Sequence, residues 1–172
     1  RNLFLVKSPG LSFRDIDLKK NKLRFSEIQL AQPDITMFST PEKSPQKKKS
    51  FSYEVVLENL LVSNAKIQIL NPDSTRLFAA QKLDMAVANM KMDDQTAKGT
   101  IPFMYEKFRI TGQDLHYTDN RQSITVPAIA LNEKSADLRN ILIRPTTKPD
   151  AKSQINLAAG RVSFMVNSWG MQ

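Results

Sequence analysis

The stretch LRFSEIQLAQPDITM, residues 23–37, decides the fold, because its apolar spacing returns twice along the chain. Its apolar members are Leu23, Phe25, Ile28, Leu30, Pro33, Ile35 and Met37. In VVLENLLVSNAKIQI, residues 55–69, the same places hold Val55, Leu57, Leu60, Val62, Ala65, Ile67 and Ile69. In FMYEKFRITGQDLHY, residues 103–117, they hold Phe103, Tyr105, Phe108, Ile110, Gln113, Leu115 and Tyr117, with Gln113 as the one polar member. Every copy steps by two, three, two, three, two and two residues. Internal repetition of this kind points to one structural unit used several times.

Steps of two keep side chains on one face of a β-strand. A step of three would throw the next side chain to the other face unless a β-bulge absorbs the extra residue, which also bends and twists the strand. The breaks fall at Ser26-Glu27 and Ala31-Gln32, at Glu58-Asn59 and Ser63-Asn64, and at Glu106-Lys107 and Thr111-Gly112. Fifteen extended residues reach about 50 Å, too far for one strand of a small barrel. A long curved sheet, or strands broken at the second step, is expected.

Turn chemistry separates these units. Asn71-Pro72-Asp73-Ser74, Thr118-Asp119-Asn120-Arg121, Lys19-Lys20-Asn21 and the polar run from Met92 to Gly99 each read as a return. Shorter echoes of the spacing occur at Ile124, Val126, Ile129 and Leu131, at Ala136, Leu138, Ile141 and Ile143, and at Val162, Phe164 and Val166. Residues 77–90 (LFAAQKLDMAVANM) have a helix-favouring composition. They are read as strand because Leu83, Met85 and Val87 alternate after a hairpin signal. The fold class expected is all-β: an antiparallel meander of nine to eleven long, bent strands forming a curved sheet, groove or sandwich with internal repeats. It forms one domain, 1–172, with surface loops at 39–52 and 144–153 that are rich in Pro, Ser and basic residues.

Bulk properties narrow the function. The chain of 172 residues carries a net charge of +8, which favours acidic partners, and has no cysteine. Disulfides, cysteine zinc sites and thiol nucleophiles are therefore excluded. No apolar run is long enough for a transmembrane helix. The chain starts at Arg1 without methionine and reads as part of a longer or processed protein, whose anchor or export signal would lie outside it.

Catalytic constellations are not evident. His116 is the single histidine and lies between two inward positions, so it faces outward. Asp93-Asp94 and Asp15/Asp17 are too short for a calcium loop, and no metal-ligand spacing or glycine-rich phosphate loop occurs. No catalytic, cofactor-binding or metal-binding residues are assigned, and no enzyme activity is expected. Nucleic-acid binding would interleave aromatics with basic residues on an exposed face. Here Phe103, Tyr105, Phe108 and Tyr117 share the inward face while Lys107 and Arg109 flank from the other, so nucleic acid is not an expected partner. The run Lys47-Lys48-Lys49 could meet anionic lipid head groups.

The phrases LRFSEIQLAQPDITMF, VVLENLLVSNAKIQIL and FRITGQDLHYT resemble the recurring pattern of AsmA-like proteins. There, an apolar-x-apolar pair is followed by a strand and a short P-x-I or N-A-x-I phrase. Pro33-Asp34-Ile35 and Asn64-Ala65-Lys66-Ile67 match these phrases, and Gln113-Asp114-Leu115 is a weaker third. The resemblance covers about residues 16–145. It implies a module of the AsmA-like and TamB-like kind: anchored in the bacterial inner membrane, extending into the periplasm, and carrying phospholipid along an apolar β-groove toward the outer membrane. The chain departs from that pattern in being short and in carrying the basic stretch 39–52.

The expected function is thus a non-catalytic lipid-binding or lipid-guiding module of the envelope, needing no cofactor. Its groove candidates are Phe25, Leu30, Ile35, Leu57, Val62, Ile67, Phe108, Ile110 and Leu115, and its partner a phospholipid or other amphiphile. The alternative is a β-sandwich that binds a protein or glycan through its loops. In either case an uncovered edge strand could pair with a neighbouring copy.

Overall fold

A computed structural model of the protein describes residues 4–19, 21–39, 52–98, 103–146 and 155–166. They form a single ten-stranded sheet. The strands are β1 (Phe4–Lys7), β2 (Gly10–Lys19), β3 (Lys22–Ala31), β4 (Asp34–Phe38), β5 (Glu54–Leu70), β6 (Arg76–Met92), β7 (Lys107–Thr118), β8 (Gln122–Asn132), β9 (Ser135–Pro145) and β10 (Leu157–Met165). A single 3-10 turn, Thr96–Lys98, follows β6, and the described residues contain no α-helix. Residues 77–90 lie within β6, so the alternation of Leu83, Met85 and Val87 prevails over their helix-favouring composition.

The sheet is open and curved. From β5 to β10 it is an antiparallel meander, each strand pairing with the next. Its first part is built differently. β3 and β4 are two halves of one long strand, interrupted at Gln32-Pro33, and both run parallel to β5. Leu23 faces Val55 and Phe38 faces Leu70, a constant offset of 32 positions. The first two copies of the repeat are therefore stacked in register, like on like. β1 and β2 form a second interrupted strand, paired antiparallel to β4 and β3. β1 and β2 line one edge and β10 the other. No second sheet packs on the first among the described residues, so they form neither a sandwich nor a closed barrel.

The three-residue steps resolve as coherent seams. At the level of the second step, Gln32, Asn64, Lys82 and Asp114, and Asn140 on β9, adopt positive φ of 48–54°. Register shifts between β5 and β6 and between β6 and β7 fall at the same level. In the third copy the three-residue step falls at Gln113-Asp114, between inward Gly112 and Leu115, and not at the expected Thr111-Gly112. At the first step, Asp15 and Asn89 do the same, with φ of 46° and 53°. An extra residue in the left-handed region restores the facing of the apolar side chains. Because neighbouring strands carry the irregularity together, the sheet kinks as a unit and its ladder continues beyond the kink.

Pro33 shows why a proline fits in the seam. It is fully buried, and it sits where no ladder donor is needed. Gln32 donates its N–H to the Ser63 carbonyl at 2.8 Å on one side, and the Pro33 carbonyl accepts from Lys66 N–H at 2.8 Å on the other.

The returns follow the turn chemistry. Asn71 and Thr75 close the β5–β6 hairpin, with Ser74 at φ 66°. The Asp73 carboxylate accepts from Thr75 N–H and Oγ1 at 2.9 and 2.6 Å. Asp119 caps the β7–β8 turn by accepting from Arg121 and Gln122 N–H at 2.7 and 2.8 Å. The second loop expected at 144–153 starts later than read: Arg144 and Pro145 end β9, where Arg144 faces Ser123 and Pro145 faces Gln122. The rest of that stretch, from 147, and residues 40–51 with Lys47, Lys48 and Lys49 lie outside the described residues.

Candidate functional site: the apolar inner face

The repeat places one set of side chains on one face. In β5 the inward series Val55, Leu57, Leu60, Val62, Ala65, Ile67 and Ile69 continues across both kinks. The pairing registers turn such series into rows that cross the sheet. One row runs Leu11–Leu30–Val62–Met85 and on through Ile110, Leu131 and Ala136 to Phe164. A second, beyond the seam, runs Met37–Ile69–Phe78 and on through Tyr117, Ile124 and Ile143 to Leu157. The first is continuous from edge to edge, and the second from β4 to β10. The third repeat copy falls into line with the second through β6: Leu60 faces Val87, which faces Phe108, and Val62 faces Met85, which faces Ile110.

The nine groove candidates all stand at inward positions of this pattern. Leu57 and Val62 are buried, each 8% exposed. Phe25, Leu30, Ile35, Ile67, Phe108, Ile110 and Leu115 are half-buried. Half-burial is what one layer of apolar side chains achieves when its neighbours touch it laterally and no second layer covers it. The densest part lies at the seam, where Val62, Ala65, Ala80, Leu83, Val126, Ile129 and Ile141 form one buried cluster.

Gln113 departs from its copy. It is exposed and faces Gln81, and its neighbour Gly112 is buried instead. Leu83 fills the space: a Cβ on Gly112 would lie 2.5 Å from Leu83 Cδ2 and 3.4 Å from Ile129 Cγ1. Apolar filling at this point of the third copy thus comes from the neighbouring strand.

Apolar exposure concentrates at the edges. On β2, Leu11, Phe13, Ile16 and Leu18 face inward in register with Leu30, Ile28, Phe25 and Leu23, yet are 55%, 50%, 51% and 68% exposed. On and beside β10, Ile155, Leu157, Phe164 and Met165 are exposed as well.

The opposite face is polar and crossed by ion pairs. Lys22 bonds Glu54 at 2.9 Å and Arg24 bonds Glu58 at 2.7 Å across the parallel seam. Asp137 accepts from Ser163 Oγ at 2.7 Å, Arg139 Nε at 3.0 Å and Arg161 Nε at 2.6 Å, joining β9 to β10. These bonds hold its carboxyl at about 2, well below the usual carboxylate value. The Lys22 bond likewise lowers Glu54. Tyr117 is pushed up by its hydrogen bond to Asp119.

Two hollows of about 450 Å³ each open on this polar face. They form beside Leu61, where small Ala86 and Ala88 leave space under longer neighbours. Lys107, Arg109 and Lys134 line the second, with Glu133 as its one carboxylate. Sequence reasoning missed these hollows, because facing patterns describe the apolar side and not relief on the polar one. His116 is exposed, with Nδ1 3.3 Å from Thr125 Oγ1. Among the described residues, no group of three or more His, Cys, Asp or Glu is placed to hold a metal ion, and no helix is long and apolar enough to cross a membrane.

No protein-family model matches this chain, and no curated protein or solved structure matches it either.

Proposed function

We propose that the protein is a non-catalytic module of the bacterial envelope that holds or guides the acyl chains of a phospholipid or other amphiphile along its apolar inner face. In this reading it works in the periplasm, attached to the inner membrane by a segment outside this chain, and serves outer-membrane biogenesis. One observation carries the reading: an apolar row crosses the whole sheet with a second running from β4 to β10, and no second layer covers them among the described residues. Contiguous apolar surface of more than a few hundred Å² is uncommon on monomers unless it binds something. A long face that is apolar throughout suits flexible hydrocarbon chains better than a compact polar ligand, for which it offers no convergent hydrogen-bonding groups.

Native mass spectrometry of the purified protein, followed by extraction and identification of bound lipid, tests the proposal. Stoichiometric phospholipid supports it. A clean apo mass, with no uptake from added phospholipid, overturns it. Leu30→Asp and Ile110→Asp then locate the site, since both positions are half-buried on the inner face. Folded variants that take up lipid as the wild type does would remove the inner face as the binding surface.

A further inference from the structure

We propose that β2 is the interface of a homodimer, in which two copies pair antiparallel along this edge and continue one sheet into the other. Among the described residues β2 pairs with β3 alone, so the hydrogen-bonding groups along its other side have no described strand against them. Edge strands in soluble proteins are usually protected by inward charges, proline or shortness. β2 has ten residues, and its inward side chains are Leu11, Phe13, Ile16 and Leu18, each at least half exposed. It has the pattern of an interior strand in an edge position.

The occupant follows from the order of residues. The inward spacing of β2 is two, three, two, which reads the same in both directions about the midpoint between Arg14 and Asp15. A strand of this kind matches itself when turned around. Leu11 meets the partner's Leu18, and Phe13 meets the partner's Ile16, each pair occurring twice. The kink is matched too. In the existing β2–β3 pair, the step from Phe13 to Ile16 lies against the step from Ile28 to Phe25. In the self-pair the same step of β2 lies against its own copy. At the centre Arg14 stands opposite the partner's Asp15, and Asp15 opposite the partner's Arg14, giving two reciprocal opposite-charge pairs. Such cross-strand pairs are favourable, and like charges in the same place are not.

The two-fold axis is normal to the sheet, so both inner faces stay on the same side and join. The contact is isologous and closes at two copies. β10 at the other edge also has inward spacing of two, three, two, at Leu157, Ala159, Val162 and Phe164. Its centre is Gly160-Arg161, which offers no opposite charge on reversal. The charge pattern therefore selects β2. On β2, Arg14 lies 3.5 Å from Glu27 and Asp15 accepts from Ser26 Oγ at 3.0 Å, so both would share these β3 contacts with the partner.

Sedimentation velocity over a concentration series, with the full chain, is the test. Wild type is expected to shift from monomer to dimer and no further. Arg14→Asp and Asp15→Arg each place like charges opposite one another, and each is expected to raise the dimer dissociation constant about tenfold or more. An equimolar mixture of the two variants restores both opposite-charge pairs and is expected to form a heterodimer near wild-type affinity. That rescue separates a direct contact from damage to the fold. A wild type that stays monomeric at all concentrations overturns the proposal. So does growth beyond a dimer, which would indicate β2 pairing with β10, and so does a mixture that associates no better than its components.

Discussion

Leu30 lies beside Val62 in parallel register, the same place in two copies of one repeat. The contact is part of a buried cluster, with Val62 8% exposed and Leu30 packed against it. Similar residues are stacked here because identical kinks on adjacent strands let both ladders pass the irregularity in step.

The first prediction concerns this pair. Val62→Asp would place an unpartnered carboxylate in an apolar cluster, and about 3 kcal/mol or more of stability is expected to be lost. Leu30→Asp, at a half-buried position, should cost clearly less, because its carboxylate can reach water. Urea unfolding of both variants checks the order. Equal losses would mean that the inner face is closed at Leu30 as firmly as at Val62.

The second concerns Gly112 beneath Leu83. Gly112→Ala is expected to cost about 1–3 kcal/mol, since its methyl would overlap the Leu83 side chain in a packed cluster. With Leu83→Ala already present, the added cost should shrink by at least 0.5 kcal/mol, the scale of coupling between touching residues. A double-mutant cycle measures this, and additivity would show that the two do not meet.

The third addresses the seam. Asn64 has φ 52° and its N–H donates to Asp84 Oδ1 at 2.8 Å. Asn64→Val should destabilise by about 1–3 kcal/mol, because a β-branched residue is strained in the left-handed region. Asn64→Gly keeps the N–H and fits this backbone, so it should cost far less. Thermal unfolding of the two variants decides. Equal losses would remove backbone conformation as the cause.

The fourth concerns pH. The Asp137 carboxyl is held at about 2, against an ordinary value of 3.8, by Ser163 first and then by Arg139 and Arg161. A folded-state pKa below the unfolded one contributes stability above the unfolded value and loses it as pH falls toward the folded one. The contribution of the β9–β10 tie should therefore fade between about pH 4 and pH 2. Asp137→Asn should flatten the fall in unfolding midpoint over that window. An unchanged slope would assign the acid sensitivity to other carboxylates.

Much of the architecture was legible because a repeat records facing. The shared spacing of residues 23–37 and 55–69 marked the strands, their kinks and the inward set that the registers now connect. Direction was not recorded in it. An apolar residue faces inward equally well on a parallel or an antiparallel strand, so the parallel seam between Leu23 and Val55 did not show. Nor did the pattern reveal position within the sheet: Phe13 reads like Phe108, yet one is on the edge and the other in the interior. Among the seam residues, Asn64 and Asp114 are types that tolerate the left-handed region, whereas Gln32 and Lys82 give no such signal and occupy it because the neighbouring strands kink at the same level.

The constant offset between β3–β4 and β5 has a consequence for how such a chain can change over generations. One residue gained or lost between Lys22 and Phe38, or within β5, would turn every later inward side chain of that strand outward and unmatch it from its neighbour. A change of length in the connection after Ser39 and before Glu54 leaves the register within each strand as it is. Homologous chains should accordingly keep the two strands at fixed length and vary in length at that connection.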